Sequence, residues 1–358
     1  MQILIIVIVF LALMTIYGSF LTGIGYKKLN LTRSFAKHTV YAGTEFEMIE
    51  TVENDHLLIV PWLRVETRMT SALQFGKLEN LSIRSEMYHR SLFSLMPYQK
   101  IIRRHRVRAC RRGIYHVGHA AMTFGDITGL FRKTIELENE AMSLVVYPKL
   151  VQEDRIPQAV LQRIGEWSSA RSMLYDPFMI RGIRDYLPGD SIRDIHWNAT
   201  AKSQSLQVKV HEWNLIPRLL VVLNGQTRED QWGELMDYEQ EIVERVISLA
   251  ASCCIFAMRH GLETGFAANM PFGDAEGENA VFPLSKPGNE ENILYGFSRL
   301  VVKRTKRFPT FLNEIDLPND CYVLIVSSYN SPEMQALCSE LSTRGIQVSL
   351  CIADGECA

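Results

Sequence analysis

The sequence predicts a membrane-anchored protein of two folded parts. An N-terminal transmembrane helix leads into a β-sandwich-like domain, which is followed by an α/β domain with a mainly parallel sheet. Three observations predict this. Residues 3–24 carry no charged side chain. The next stretch, to about residue 150, is built of short, partly alternating apolar and polar runs, the period of half-buried strands. From residue 218 onward, short continuous apolar runs alternate with longer amphipathic ones, as buried parallel strands alternate with covering helices.

The anchor, residues 1–26, is the clearest physical signal. A helix over residues 3–24 rises about 33 Å, against about 30 Å for the hydrocarbon core of a bilayer. A cleaved signal peptide would place basic residues before the apolar run and small residues at its end. Here Lys27, Lys28, Arg33 and Lys37 all follow it and only Gln2 precedes it. The positive-inside rule then leaves the C-terminal domains in the cytoplasm, with the helix itself as the contact to membrane lipid.

Residues 29–150 form the expected β-rich domain, with strands at 29–35, 45–52, 62–69, 81–87 and 101–110 and turns at Ala42-Gly43 and Asn54-Asp55. Its basic run contains Lys100, Arg103, Arg104, His105, Arg106, Arg108, Arg111 and Arg112. Alternation around Ile101, His105, Val107 and Ala109 sends arginines outward from an edge or meander strand, where charge discourages strand aggregation. The rival reading sets Arg103, Arg104, Arg106 and Arg108 against anionic lipid headgroups beneath the anchor. No aromatic stacking platform accompanies the charge, so nucleic acid is not an expected partner.

Residues 151–217 hold a short helix over 156–167, a polar loop over 168–173 and then the densest polar stretch in the chain, GIRDYLPGDSIRDIHWNATAK at 182–202. Charge packed among Ile183, Tyr186, Leu187, Ile192, Ile195 and Trp197 predicts an internally paired network, because a covered charge needs its partner supplied. Pro188-Gly189-Asp190 is a turn signal. The expected interaction residues are Arg184, Tyr186, Asp190, Arg193, Asp194, His196, Trp197 and Lys202, acting as a charged joint between the two domains.

This stretch resembles the signature of the DUF58 family, in the order Gly182-x-Arg184-x-Tyr186, Gly189-Asp190, Arg193-x-Ile195-x-Trp197 and Ala199-Thr200-Ala201-Lys202. The resemblance extends upstream through Tyr41-Ala42-Gly43, Pro61-Trp62-Leu63, Arg112-Gly113-x-Tyr115 and residues 126–131, where Ile127 and Thr128 depart from the family's usual Asp-Pro-Phe-Gly-Leu. It implies a membrane protein associated with MoxR-type AAA+ ATPases, carrying a von Willebrand factor A-like domain after the signature. That domain is expected at residues 218–358.

A strand at 206–210 follows the signature, and the α/β domain is predicted from strands at 219–223, 263–268, 322–326 and 346–352, with a long helix over 231–258 and another bearing Ile293, Leu294, Phe297, Leu300 and Val301. Ser331-Pro332 is a favoured start for the last helix and Gly345 a favoured end. In von Willebrand factor A-like domains an Asp-x-Ser-x-Ser loop supplies hard oxygen ligands to a divalent cation. Here the loop reads Asn224-Gly225-Gln226-Thr227-Arg228, so no metal is expected.

Composition bounds the function. The 358 residues are 47% hydrophobic with a formal net charge of -2, enough for one or two cores and not the profile of a dedicated nucleic-acid binder. The seven cysteines show no CxxC pair, which fits a reducing compartment rather than a disulfide scaffold. No P-loop, dinucleotide fingerprint, HExxH or GxSxG is present, and no cofactor is expected. The expectation is a membrane-anchored interaction or scaffold protein, partnered through the family resemblance with a MoxR-like ATPase in envelope complex assembly or maturation. The alternative is an amide or peptide hydrolase using the polar signature around His196, with Ser191 or Ser203 as nucleophile.

Overall fold

The computed structural model describes residues 2–23, 28–75, 86–127, 129–137, 142–169, 180–211, 217–230, 235–275, 277–318 and 320–353. Ile24, Lys27, Thr128, residues 81–85 of the strand expected at 81–87 and residues 170–173 of the expected loop lie outside these. The chain divides into two compact units, 1–149 and 150–358.

In the first unit, helix α1 (Gln2–Gly23) is uncharged, mostly apolar, and long enough to cross a membrane. Ile3, Ile6, Phe10, Leu13 and Ile16 are each more than half exposed, a continuous apolar surface that water would penalise and lipid would cover. Its C-terminal end is seated on the β-rich unit. Leu21 is buried in the core cluster there, Tyr17 donates its hydroxyl to the Ile59 carbonyl, and a Cβ at Gly18 would stand 2.6 Å from the Phe131 ring.

Eleven strands follow among the described residues: β1 (Leu29–Phe35), β2 (Thr39–Tyr41), β3 (Glu45–Asn54), β4 (Val60–Thr70), β5 (Leu73–Phe75), β6 (Glu86–Leu95), β7 (Lys100–Ala109), β8 (Gly113–Val117), β9 (Ala120–Gly125), β10 (Arg132–Leu137) and β11 (Met142–Tyr147). Two four-stranded antiparallel sheets have the orders β1-β3-β7-β5 and β10-β9-β4-β6, and a three-stranded mixed sheet has the order β2-β11-β8. Strict alternation in β1 buries Leu29, Leu31, Arg33 and Phe35. Leu29, Leu31 and Val52 of the first sheet share one apolar cluster with Leu63, Val65, Phe93, Met122 and Phe124 of the second. Each such side chain contributes about 1.5–3 kcal/mol relative to leaving it in water.

That interior has a polar seam. Glu50 of β3 is fully buried, with His105 of β7 at 3.2 Å and His89 of β6 beside them. Burial pushes the Glu50 carboxyl up, but the His105 hydrogen bond and the neighbouring Ser91 hydroxyl outweigh it and hold the group below the usual carboxylate value. Burial, with His105 close by, holds His89 down at about 4.

The basic strand sends arginines outward as expected, with Arg103 the exception. β7 lies between β3 and the short β5, which pairs only with Val107, Arg108 and Ala109. Arg104, Arg106 and Arg108 do point outward, but Arg103 turns to the other face, its guanidinium over the Phe93 ring at 4.2 Å and bonded to the Leu92 carbonyl at 3.2 Å. The outward set faces acids across the sheet: Arg106 is registered with Glu47 and Arg108 with Glu45, and Lys100 pairs with Glu53 at 3.4 Å. Cross-strand opposite charges stabilise a sheet face.

The second unit begins with α2 (Gln158–Ser169), then β12 (Ile180–Asp185), α3 (Trp197–Ser203) and β13 (Gln207–His211). After these come β14 (Arg218–Leu223), α4 (Asp237–Arg259), β15 (Glu263–Ala268), β16 (Ala280–Ser285), α5 (Glu290–Arg299), α6 (Phe308–Glu314), β17 (Cys321–Ser327), α7 (Pro332–Thr343) and β18 (Gln347–Ile352). The main sheet has the order β16-β15-β14-β17-β18, parallel except for β16. β17 is buried at every position, which is why it reads as a continuous apolar run. Phe308, Phe311, Met334 and Leu341 from α6 and α7 pack against Val222, Val323, Ile325 and Leu350. Ser331 caps α7, accepting from the Met334 amide at 3.3 Å, with Pro332 in its first turn.

The long helix runs over Asp237–Arg259, residues 231–234 of its expected span lying outside the described residues, and Glu239 in its first turn is buried, its carboxylate accepting from the Met236 amide at 2.9 Å. β16 and α6 were not anticipated. β16 contains Pro283 and has only a partly buried face, and α6 is a seven-residue helix, too short to show periodicity.

Candidate functional site

The signature builds a small unit of its own. β12 and β13 pair antiparallel, with Arg184 opposite Val208 and Asp185 opposite Gln207. Between them the chain makes the expected turn at Leu187–Asp190, where the Asp190 amide donates to the Leu187 carbonyl at 3.0 Å. Gly189 takes φ +112 there, a conformation that side chains resist. A single 3-10 turn (Ile192–Asp194) follows, entered through Ser191, whose hydroxyl accepts from the Arg193 amide at 3.3 Å. Ile195 bridges to Val208, and both are buried, forming the apolar centre of the unit. The Gln207 amide donates to Thr200 Oγ1 at 3.0 Å, tying α3 back onto β13.

Arg184 and Asp190 form a two-pronged ion pair, Nη1 to Oδ2 at 2.6 Å and Nη2 to Oδ1 at 2.7 Å. The Leu187 amide adds a third donor to Asp190 at 2.8 Å. The Arg184 guanidinium, with that amide, holds the Asp190 carboxyl at about 2. The pairing matches the sequence expectation, but its covering does not: the Arg184 side chain is 44% exposed. The clasp therefore fixes the turn and is not a buried charge pair.

The other signature residues separate. Tyr186 is half-buried, and its amide donates to the Leu206 carbonyl at 2.9 Å. Arg193 and Lys202 are exposed and make no ion pair among the described residues, while Asp194 is half-buried in the 3-10 turn. His196 is the N-cap of α3, its Nδ1 accepting from the Ala199 amide at 3.0 Å. Neither candidate nucleophile is bonded to it among the described residues, since the Ser203 hydroxyl donates to the Ala199 and Ser205 carbonyls. Trp197, expected as buried packing, is 65% exposed.

Exposed apolar side chains are what the sequence reading missed. Ile183, Leu187, Ile192, Trp197 and Leu206 are all exposed. Among the described side chains of this unit they outnumber the buried apolar pair Ile195 and Val208, and a contiguous sequence gives no signal for which side a short irregular element turns outward.

The Asn224 loop, at the C-terminal end of β14 where the strand order reverses direction, is closed on itself. Asn224 and Gln226 are buried. Asn224 Nδ2 donates to Ser327 Oγ at 3.2 Å, and its Oδ1 accepts from the Gln226 amide at 3.0 Å. Gln226 Oε1 accepts from the Phe308 amide at 2.7 Å. Arg228 turns outward to Tyr238 and Glu239. The Asn224 and Gln226 side-chain amides spend their polarity on neighbouring backbone and hydroxyl groups.

Comparison with known proteins gives likeness of limited extent. No curated protein matches. Among solved structures, a CARDB domain of a Pyrococcus furiosus protein, determined with two metal ions, aligns with 33% of this chain and 93% of that domain at 17% identity and a TM-score of 0.21. A cohesin module of a Clostridium perfringens family 33 glycoside hydrolase aligns with 32% of this chain and 96% of its own at 10% identity, with a TM-score of 0.22. The seventh ScaB type I cohesin of Pseudobacteroides cellulosolvens aligns with 35% and 96% at 12% identity and 0.23. A family profile described as "Protein of unknown function DUF58" matches residues 182–284, from the first residue of the signature through most of β16, and supports that family for this part of the chain.

Proposed function

We propose that this chain is a membrane-anchored interaction protein that docks a protein partner on the exposed apolar face of its signature unit. The observation that carries the reading is the exposure of Leu187, Ile192 and Trp197, with Ile183 and Leu206 nearly half exposed, in the unit whose turn the Arg184–Asp190 clasp fixes. Apolar side chains with Trp and Arg beside them are the composition of binding hot spots, and a clasp that fixes the turn lowers the cost of ordering them on binding. The DUF58 resemblance implies a MoxR-like AAA+ ATPase as that partner, and envelope complex assembly or maturation as the setting. Lys28 directly after the apolar helix supports a cytoplasmic side for both folded units. The strand order and the mainly parallel sheet of the second unit fit a von Willebrand factor A-like domain, here without a metal-bridged mode of adhesion.

An amide or peptide hydrolase centred on His196 lacks an observation in its favour, because one ring nitrogen caps α3 and the nearby hydroxyls bond elsewhere. The test is co-purification of the full-length chain, in gentle detergent, with a MoxR-like ATPase. The wild type should retain the ATPase, and Trp197→Ala with Ile192→Glu should release it. Equal retention by both would remove the docking face from the account.

A further inference from the structure

We propose that Glu50, His89 and His105 form a binding site for one divalent transition-metal ion of the Zn2+ type, which pins the two four-stranded sheets of the β-rich unit together. The three residues come from β3, β6 and β7. Glu50 and His105 stand diagonally in one sheet, Glu50 being registered with Arg103 and Met48 with His105. His89 reaches them from the facing sheet, where it is registered with Thr67 of β4. One ligand-type atom from each of the three lies within 4.8 Å of the others.

The donor set is specific. Two imidazoles and one carboxylate suit Zn2+ and its transition-metal neighbours, and would be a poor set for Mg2+ or Ca2+, which take mainly oxygen. Metal–ligand bonds of about 2.0–2.1 Å in a tetrahedron set ligand atoms about 3.4 Å apart. His105 Nε2 and Glu50 Oε2 are already 3.2 Å apart, and the His89 donor lies within 4.8 Å of both.

Two further features point the same way. Glu50 is fully buried, yet its second oxygen, Oε1, accepts no hydrogen bond. An ionised carboxylate with an unused buried oxygen is costly, and a cation removes that cost. Ser91 Oγ lies 3.2 Å from Nε2 of His89, and Phe75 stacks on the same imidazole at 4.2 Å; outer partners of this kind hold a ligating ring in orientation. Arg33, opposite Glu50 on β1, directs its guanidinium to Thr67 at 3.0 Å. The His105 side chain is 15% exposed, which leaves a path for the ion and a fourth position for water.

The experiment uses the full-length chain in detergent, freed of metal with a chelator that is then removed, and titrated with Zn2+ by calorimetry and with Co2+ by visible absorption. One equivalent per chain is expected, with a Co2+ spectrum of nitrogen and oxygen ligation that lacks thiolate charge-transfer bands. His89→Ala and His105→Ala should each weaken binding by more than about 100-fold, and Ser91→Ala by about 10–100-fold, the range for outer partners. Zn2+ should raise the melting temperature of the wild type in proportion to its occupancy. The proposal is overturned by the absence of a saturable equivalent, by thiolate bands in the Co2+ spectrum, or by unchanged affinity in folded His89→Ala and His105→Ala variants. Should an alanine variant fail to fold, the wild-type stoichiometry and Co2+ spectrum decide alone.

Discussion

At the scale of single residues, Asp190 and His196 make the sharpest statements. Asp190 sits at about 2 against an ordinary 3.8, through its bond to Arg184. The unfolded chain therefore binds this proton more readily, so the clasp contributes above about pH 3.8 and is lost as pH falls through about 2. NMR titration of the Asp190 carboxyl should show that low value in the wild type and a return toward 3.8 in Arg184→Gln. His196 acts as a cap, so His196→Asn, which preserves an acceptor favoured at that position, should leave stability unchanged, whereas His196→Ala should cost about 1 kcal/mol. Denaturant unfolding checks both, and loss in the Asn variant equal to that in Ala would contradict the capping role. The residue types that form the clasp were legible in the sequence, since an Arg and an Asp around a Pro-Gly turn invite pairing. Exposure was not: Trp197 reads as a buried anchor, yet it is 65% exposed.

At the scale of elements, most of the framework follows from period and punctuation. The buried strands β14 and β17, the alternating β1 and the Ser331-Pro332 start of α7 were all legible because local pattern and tertiary environment agree there. β16 and α6 were not, because a proline-bearing edge strand and a two-turn helix owe their form to what they pack on. Phe266 shows the dependence: its ring stacks between Phe282 of β16 at 5.2 Å and Phe297 of α5 at 4.0 Å. Gly296 makes room for this stack, since a Cβ there would lie 2.7 Å from the Phe282 ring and 3.0 Å from Phe266. Gly296→Ala should therefore destabilise the second unit by about 1–3 kcal/mol through overpacking, against the gain that alanine usually brings to a helix. Equilibrium unfolding that shows stabilisation would contradict this packing. The Glu50–His89–His105 seam was equally hidden, because its members lie on three strands far apart in sequence.

At the scale of the whole molecule, an apolar helix, a β-rich unit and a mainly parallel α/β unit are arranged along the chain in the order the sequence announces. The seating of α1 on its unit was not legible, because Gly18 reads as one more small residue in an apolar span. Gly18→Leu should disturb the contact with Phe131 and increase protease sensitivity of residues 28–35 in the detergent-solubilised chain, while leaving membrane insertion intact. A C-terminal reporter fusion should be active only on the cytoplasmic side, and activity confined to the opposite side would reverse the topology. The central claim, that the signature unit is an outward docking face, is tested most directly by hydrogen–deuterium exchange on the full-length chain with and without a MoxR-like ATPase. The account predicts new protection concentrated in residues 183–206, with the Asn224 loop and the outer face of β7 unchanged. Protection at the Asn224 loop or along β7, with residues 183–206 exchanging as before, would contradict it.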